Sequence, residues 1–252
     1  MNTATAEKQN KIMYISQAEN FSKIPGSPIS YWATKSMVDI FASNPTIDTI
    51  AFPRQGLATG NNEYYLKEWF EVRVSDISFH SNSQDEFVLS RKTYIPYNKG
   101  GSYRKWYGNL EYVIKFSSRY YNQLGNVGNH LPSRELYFKE SITWSKVTSG
   151  GLSLRYNPVG SAFDVAGCSI FASKTLLKYL LALCNSNIMQ SLIRVLSQTL
   201  NYEVGTIKAM PVVLSQAYEN EICRLSDKTI ELGKKDWDSY ETSWDFKRHP
   251  LI

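Results

Sequence analysis

Residues 94–109 have the sequence Tyr-Ile-Pro-Tyr-Asn-Lys-Gly-Gly-Ser-Tyr-Arg-Lys-Trp-Tyr-Gly-Asn. The glycine pair Gly100-Gly101 divides the stretch, and because glycine pairs favour turns the pattern predicts a strand, a turn and a second strand. The stretch carries five aromatic rings and three cations, and it contains no acidic residue. Lysine and arginine meet phosphates while flat rings stack on bases, so this composition suits a nucleic acid. An edge hairpin with solvated lysines and half-buried tyrosines explains the stretch as well, and for this stretch alone it is the more common case.

Charge is distributed unevenly around this stretch. The chain has a formal net charge of +5, but residues 91–120 hold seven cations against one acid, a local charge of +6. Residues 217–245 hold four cations against eight acids, a local charge of −4. A basic centre and an acidic tail predict a directional electrostatic surface and a docking role for the tail on another chain or domain.

The composition is that of a globular protein. The 252 residues are 42% hydrophobic and 20% charged, enough to bury the core of one large domain or of a domain with a helical appendage. The aromatic share is 13% and is led by 17 tyrosines. Such a share favours β-rich structure and contact surfaces, and it also fits a sugar-binding module.

The cysteines and the termini predict a cytoplasmic protein. Cys168, Cys184 and Cys223 form no Cys-x-x-Cys motif, and their odd number argues against a disulfide scaffold. The first residues have no apolar signal core, and the longest apolar run, Tyr179 to Cys184, is far shorter than the roughly 20 residues that span a bilayer. We therefore expect a soluble chain with reduced thiols and no membrane partner.

The pattern along the chain predicts an α+β fold, in which a twisted and mainly antiparallel sheet is followed by a helical part. The expected domains are a loose N-terminal segment (1–26), a β-rich domain (27–173) and a helical part with an acidic aromatic tail (174–252). A first helix is expected from Ser27, with Pro28 in its first turn, to about residue 42. Strands are expected at 46–54, 64–77, 111–116, 142–147, 152–156, 163–171 and 200–204. Polar loops are expected at 80–92 and 117–132, and a turn at 205–211. A helix pair with a break at 185–187 and a last helix, capped by Ser215 and ending near 232, complete the prediction.

A second polar segment, residues 55–62, complements the first. It has the sequence Gln-Gly-Leu-Ala-Thr-Gly-Asn-Asn and predicts a tight loop whose backbone N–H groups can face an anion. Arg54 and Gln55 carry side chains that match the major-groove edges of guanine and adenine. A surface turn selected only for its backbone angles explains the same residues equally well.

Catalytic and metal-binding signals are missing from the sequence. The three histidines, His80, His130 and His249, lie 50 or more residues apart, and no Cys/His cluster accompanies them. Residues 167–171 begin like a nucleophile elbow but lack its closing glycine, and no P-loop occurs. The sequence predicts a chain that binds and does not catalyse.

Five segments in register carry a family resemblance. The segments are 21–32, 55–62, 97–109, 163–171 and 236–250. The third contains Lys99-Gly-Gly and Arg104-Lys-Trp-Tyr-Gly-Asn, and the fifth contains Trp237-Asp-Ser-Tyr-Glu-Thr-Ser-Trp-Asp. Together they resemble the region downstream of the catalytic domain in the PglX family, the adenine-specific DNA methyltransferases of bacteriophage-exclusion (BREX) systems. The resemblance implies a target-recognition region similar to those of TaqI-like methyltransferases and type I specificity subunits.

The chain also departs from that family. A methyltransferase needs a glycine-rich S-adenosylmethionine loop and an Asn-Pro-Pro-Tyr/Phe motif for the flipped adenine. Neither occurs, because Asn157-Pro158-Val159 and Asn44-Pro45-Thr46 lack the second proline. The resemblance therefore implies a recognition fragment without its catalytic domain, with no cofactor of its own and with S-adenosylmethionine bound by the parent enzyme. Its implied partners are double-stranded DNA, the catalytic domain of that parent and other phage-defence proteins.

The predicted DNA face joins the two polar loops. Lys99 and Lys105 are expected to contact phosphates, and Arg54, Gln55, Arg104 and Asn109 are candidates for base edges. The complete predicted set is Arg54, Gln55, Thr59, Asn61, Asn62, Lys99, Tyr103, Arg104, Lys105, Trp106, Tyr107, Asn109, Arg134, Lys146 and Arg155.

Two other functions remain open from the sequence. One is a carbohydrate-binding module that uses Tyr97, Tyr103, Trp106 and Tyr107 as stacking platforms, against which the absence of export signals and disulfides argues. The other is a protein-interaction domain of a phage-defence complex, for which the acidic tail is the best feature.

Overall fold

A computed structural model describes residues 17–197 and 199–252 of the chain. The strands are β1 (Phe52–Arg54), β2 (Leu66–Glu68), β3 (Tyr94–Asn98), β4 (Tyr112–Lys115), β5 (Ser141–Trp144), β6 (Leu154–Asn157), β7 (Ala162–Phe163) and β8 (Ser169–Phe171). The helices are α1 (Ala18–Ser22), α2 (Lys35–Ser43), α3 (Ile47–Ile50), α4 (Asn62–Tyr65), α5 (Gln84–Leu89), α6 (Ser118–Leu124), α7 (Lys174–Asn185), α8 (Asn187–Leu196), α9 (Val204–Lys208) and α10 (Glu219–Trp237). The predicted α+β class is confirmed.

The strands form two four-stranded sheets, whereas the sequence predicted one. The first sheet has the order β1-β8-β5-β6 and is antiparallel throughout. The second has the order β2-β4-β3-β7, in which only the β3–β7 pair is parallel. The segment expected as one strand at 163–171 supplies β7 to the second sheet and β8 to the first. Residues 164–168 thus carry the chain from one sheet to the other.

Each sheet has its own hydrophobic core. The first sheet packs with α2, α7 and α8 around fully buried residues that include Trp144, Leu154, Ile170, Leu180 and Cys184. The second sheet covers an aromatic core that includes Tyr97, Phe87, Phe116, Phe138 and Phe163. Each large apolar side chain contributes roughly 1.5–3 kcal/mol when it is buried, so much of the aromatic richness of the sequence serves this second core.

The helix pair at the centre of the chain follows the prediction closely. Ser173 caps α7 by accepting a hydrogen bond from the backbone N–H of Leu176, and Ser186 caps α8 through that of Met189. α7 packs against β5 and β6 and also against α10, so the helical part shares the core of the first sheet. The domain boundaries expected at residues 26 and 173 stay predictions. Residues 1–16 of the expected N-terminal segment lie outside the described residues.

The first predicted helix begins later than expected. Thr34, not Ser27, caps α2, since its hydroxyl accepts the N–H of Met37 at 3.3 Å. Ser27 has φ 47° and Ile29 is 72% exposed, so neither belongs to a helix face. The hydroxyl of Ser30 donates to the carbonyl of Val195 at 3.1 Å. This tertiary contact holds residues 27–33 in an irregular conformation against α8.

Short helices replace several predicted loops and strands. α5 lies inside the expected loop 80–92, α6 inside the loop 117–132, and α9 overlaps the expected strand 200–204 and turn 205–211. The expected strand 46–54 divides into α3 and β1, and the expected strands at 64–77 leave only β2 between α4 and 3₁₀ turns. These helices have seven residues or fewer, too short for a helical period to be visible in the sequence.

The second half of the opening stretch forms no strand. β3 ends at Asn98, and its partner is β4, with Tyr94 opposite Lys115 and Tyr97 opposite Tyr112. Residues 99–109 form a long loop, tied to β6 through Trp106 and Arg155. The last helix begins at Glu219 after a 3₁₀ turn and continues to Trp237, five residues beyond the predicted end. Within the described residues no helix is both long and apolar enough to cross a membrane.

Candidate nucleic-acid interface

Loop 55–62 is fixed in place by its own chain. The N–H of Leu57 donates to the carbonyl of Phe163 at 2.9 Å, and that of Ala58 donates to the side chain of Asn129 at 2.7 Å. A side chain at Gly56 would lie 1.8 Å from the carbonyl oxygen of Phe163, so only glycine allows this approach. Of the N–H groups expected to face an anion, those of residues 56–58 and of Asn61 are bonded within the chain. The hydroxyl of Thr59, itself 2% exposed, donates to Asn62.

The two predicted loops do meet, at Lys99. Its ammonium lies 3.0 Å from a carboxylate oxygen of Asp164, and the hydroxyl of Tyr97 donates to the same oxygen at 2.7 Å. The other oxygen of Asp164 accepts the N–H of Ala166 at 2.7 Å. Lys99, Asp164, Asn62 and loop 58–60 line a shallow depression of about 210 Å³. Because Asp164 is buried and paired, Lys99 carries no uncompensated charge into this depression.

The surface on the other side of Lys99 is acidic. A depression of about 420 Å³ there is lined by Glu63, Glu68 and Glu71 together with Lys67 and Lys99. Three carboxylates against two ammonium groups disfavour a phosphate backbone on this side.

Two of the predicted residues, Arg104 and Tyr107, pack against the tail. The guanidinium of Arg104 lies 2.8 Å from a carboxylate oxygen of Asp236 and 5.1 Å from the ring centroid of Trp237. Gly108, at φ 117°, brings the backbone against the Trp237 ring. Tyr107, Leu110 and Trp237 form a small buried cluster, against which Trp244 also packs. The tail, expected to dock on another chain or domain, thus packs against its own loop 103–110.

Trp106 and Arg155 hold this loop to the first sheet. The N–H of Trp106 donates to the carbonyl of Leu154 at 2.9 Å, and its carbonyl accepts the N–H of Tyr156 at 2.8 Å. Arg155 is completely buried, and its guanidinium donates to the Ser145 hydroxyl at 3.1 Å. Burial lowers the pKa of Arg155 to about 10, and the nearby Arg104 charge adds to the effect. Arg155, predicted to contact DNA, is therefore an internal support of the loop.

The remaining predicted residues lie apart from one another or are already bonded. Asn109 is 5% exposed and donates to the carbonyl of Ser102 at 2.8 Å. Arg134 donates to the carbonyl of His130 at 3.1 Å, and Lys146 pairs with Glu203 at 2.9 Å. Arg54 lies beside Phe52 on the edge strand β1, Gln55 is exposed next to it, and Asn61 caps α4 through the N–H of Tyr64.

Tyr103 and Lys105 line a large concavity, a groove of about 700 Å³. The ammonium of Lys105 donates to the carbonyl of Asn185, the last residue of α7, at 2.7 Å. We name this concavity the basic groove; its other walls are Trp32, residues 149–151, Asn187, Gln190, Ile193, Arg194, Ser197, residues 199–200 and Tyr202. No aspartate or glutamate lines it. Its cations are Lys105 and Arg194, and Arg194 makes no ion pair within 4 Å among the described residues.

Helix α8 supplies the polar wall of the basic groove. Asn187, Gln190, Arg194 and Ser197 recur at intervals of three or four residues, which places them on one face of the helix. The opposite face buries Met189, Leu192 and Ile193 in the core of the first sheet. From the sequence, this helix was assigned to the core scaffold on the basis of its apolar face alone. The polar stripe was the signal that could have identified this wall.

Metal and thiol chemistry are not supported by the described residues. No group of three or more His, Cys, Asp or Glu side chains in that part of the chain is placed to hold a metal ion. Burial raises the pKa of Cys168 and Cys184 to about 12, which keeps both thiols protonated near neutral pH.

Two curated proteins match almost the whole chain. The adenine-specific methyltransferase PglX of Lacticaseibacillus casei (strain Zhang) is 36% identical over 259 residues, covering 99% of this chain and 21% of that protein. The adenine-specific methyltransferase BrxX of Escherichia coli O9:H4 (strain HS) is 35% identical over 237 residues, covering 92% of this chain and 18% of that protein. No family model matches the chain.

The chain thus spans about a fifth of the length of the curated relatives that it matches. The predicted resemblance to the PglX methyltransferases is confirmed, and the coverage is consistent with a fragment of such a protein.

Proposed function

We propose that this chain is the DNA-recognition region of a BREX-type adenine-specific DNA methyltransferase and that it binds duplex DNA at the basic groove. The observation that carries the proposal is the combination of cations and aromatic rings without carboxylates in that groove, on a chain similar to a fifth of two adenine-specific methyltransferases. Methyl transfer belongs to the rest of such an enzyme.

The groove offers the contacts that a phosphate backbone needs. Lys105 and Arg194 present positive charge from two different elements, the loop after β3 and the last turn of α8. Cations without carboxylate partners release counterions from DNA when they meet phosphates, whereas Lys99 and Lys146 are neutralised by Asp164 and Glu203. The sequence predicted phosphate contacts for both lysines of this loop, and of the two only Lys105 makes no ion pair among the described residues.

Side chains for base contacts are also present in the groove. Asn187 is exposed at the start of α8, and amide side chains match the N6 and N7 edge of adenine. Tyr103 is 45% exposed and Trp32 is half-buried at the rim, so both rings can stack or pack against sugars. In this proposal Asn187 contacts a base edge, while Arg104 and Asn109 are already bonded within the chain.

The two alternative functions lose part of their support. Of the four rings predicted to form a carbohydrate platform, Tyr97 is 1% and Tyr107 6% exposed, whereas Tyr103 is 45% exposed. The acidic tail, the best feature of a protein-interaction module, is occupied by its own chain through Arg104 and Trp237.

Fluorescence anisotropy with a labelled duplex tests the proposal. Each phosphate contact changes log K by about −0.9 per tenfold increase in salt, so Arg194→Ala should weaken binding about eightfold at 0.1 M salt and flatten the salt slope by about 0.9. Lys228→Ala, an exposed lysine of α10 outside the groove, is the matched control. Unchanged affinity and salt slope in Arg194→Ala and Lys105→Ala, with the fold intact, would contradict the groove.

The division of labour is tested in the same preparation. The chain alone should neither bind S-adenosylmethionine in calorimetry nor methylate DNA, while the full-length enzyme with Arg194→Ala should lose site methylation in parallel with its DNA affinity. Micromolar cofactor binding by the chain alone would place part of the methyl-transfer site within it.

A further inference from the structure

A second cluster of cations lies outside the basic groove. Arg91, Lys92 and Arg119 line a depression of about 270 Å³ together with Val88, Ser117 and Ser118. None of these six residues is acidic. Among the described residues, none of the three cations makes an ion pair within 4 Å. The depression therefore carries three uncompensated charges beside two hydroxyl groups.

Strand pairing assembles the cluster from distant parts of the chain. Arg91 and Lys92 directly precede β3, and Ser117 to Arg119 follow β4. Because β3 and β4 are antiparallel, with Tyr94 opposite Lys115, the start of one strand lies beside the end of the other.

One of the cations is held by a hydrogen bond. The ammonium of Lys92 donates to the carbonyl of Ile77 at 2.8 Å, a partner that orients the charge without neutralising it. Arg91 is exposed and adopts φ 57°, a sparsely populated backbone conformation for a non-glycine residue.

A strip of cation–aromatic contacts connects this cluster with the loop at Lys99. The ammonium of Lys115 lies 4.3 Å from the ring centroid of Tyr64 and 5.3 Å from that of Tyr120. Tyr120 adjoins Arg119 of the cluster, and Tyr64 belongs to the same short helix as Asn62, which lines the Lys99 depression. Lys115 and two tyrosine rings thus lie between the two depressions.

We propose that Arg91, Lys92 and Arg119 form a second phosphate-binding site, which holds the backbone of duplex DNA beyond the basic groove. The inference rests on the proposed DNA binding and extends it to a flank of the duplex. β3 lies between this cluster and the loop that carries Lys105 of the basic groove, and its five residues span about 16 Å, the length of about five base pairs. This site supplies affinity that does not depend on sequence, because it faces the backbone with cations and hydroxyls only.

The test is the double variant Arg91→Ala/Arg119→Ala, measured by anisotropy on a 30-base-pair duplex over a range of salt concentrations. Loss of two phosphate contacts should weaken binding about 60-fold at 0.1 M salt and flatten the salt slope by about 1.8, equally for every sequence. Arg91→Lys/Arg119→Lys should keep most of the affinity, since a phosphate accepts either cation. Lys228→Ala should have no effect, and circular dichroism melts verify that all variants are folded.

The pattern of outcomes separates this inference from the proposed function. If Arg194→Ala weakens binding and the double variant does not, the second site is overturned and the groove stands. If only the double variant weakens binding, the second site stands and the groove fails. A single duplex across both sites predicts one DNA molecule bound per chain. The effects of Arg194→Ala and of the double variant should then add in log K. Two DNA molecules per chain would overturn that arrangement.

Discussion

Loop 99–109 has two sides that the sequence does not distinguish. On one side Arg104 meets Asp236 at 2.8 Å and lies over Trp237 of α10. On the other side Lys105 reaches only the carbonyl of Asn185 and opens into the basic groove. The two cations are adjacent in the chain. They differ in that α10 packs over Arg104, whereas Lys105 lines the groove. A basic stretch is therefore a candidate site only where no acidic element packs over it.

The covered side behaves as a small core. Trp237 is 5% exposed, Tyr107 and Leu110 are buried against it, and Lys234 reaches the carboxylates of Asp238 and Asp245 at 2.7 and 2.6 Å. The open side has no such cluster. Substitutions on the covered side should therefore change the free energy of unfolding, and substitutions in the groove should change DNA affinity.

The largest expected effect is on the covered side. Trp237→Ala should lower the free energy of unfolding by about 3–5 kcal/mol, because it removes a large ring from a buried cluster and leaves a cavity. Urea denaturation followed by circular dichroism measures this loss. DNA affinity of the folded fraction should be unchanged; a folded Trp237→Ala protein with weakened DNA binding would show that the covered side belongs to the interface.

Lys99→Ala should have the next largest effect, again on stability. Removal of the ammonium leaves the buried carboxylate of Asp164 without its ionic partner, which costs about 1–2 kcal/mol once the partial exposure of Lys99 is allowed for. A double-mutant cycle with Asp164→Asn isolates the pair. A flatter salt slope of DNA binding without loss of stability would instead favour the phosphate role that the sequence suggested.

Arg104→Ala distinguishes the two sides most directly. Loss of the contact with Trp237 and of the exposed ion pair with Asp236 should cost about 1 kcal/mol of stability. Site choice of the full-length enzyme, scored by sequencing its methylation products, should stay the same. The sequence alone predicted the opposite, a relaxed preference at one base position, and that outcome would move Arg104 back into the interface.

The smallest expected effect is a pH dependence of the covered side. Burial opposes the charge of Lys234, but hydrogen bonds to Asp238 and Asp245 hold its pKa above the ordinary 10.5. A raised pKa in the folded state stabilises the fold fully below pH 10.5 and loses this contribution as the pH rises beyond that value. Lys234→Met should therefore reduce the fall in stability between pH 10 and pH 12, measured by urea denaturation. An equal fall in wild type and variant would exclude Lys234 as its cause.

Part of the fold could be predicted because its signals are local. The apolar repeat of α7 and α8, and the break at residues 185–187, are visible in the sequence, and Ser173 and Ser186 cap these helices. β3 and β4 follow from short β-rich runs. By contrast, α5 and α6 each bury a single residue of the second core, Phe87 or Leu124, and a single buried residue leaves no period to detect.

The candidate site could be predicted only in part, for a related reason. Tyr103 and Lys105 were predicted because they lie in one contiguous basic stretch, whereas Asn187 and Arg194 lie 82 and 89 residues after Lys105, in a helix taken as scaffold. Arg155 was counted as a surface cation because the alternating pattern of β6 does not reveal that loop 99–109 covers its outer face.

By itself the sequence determined the α+β class, the central helix pair, the resemblance to PglX methyltransferases and the presence of a basic centre with an acidic tail. These properties depend on residue types and on spacing within a few turns or strands. Only the tertiary structure decided which cations stay free of carboxylates, because ion pairing depends on distances between segments as far apart in the chain as Arg104 and Asp236. It turned Arg104 and Lys99 into parts of the scaffold, and it brought Lys105 together with Arg194, and Arg91 together with Lys92 and Arg119, in depressions that no carboxylate lines.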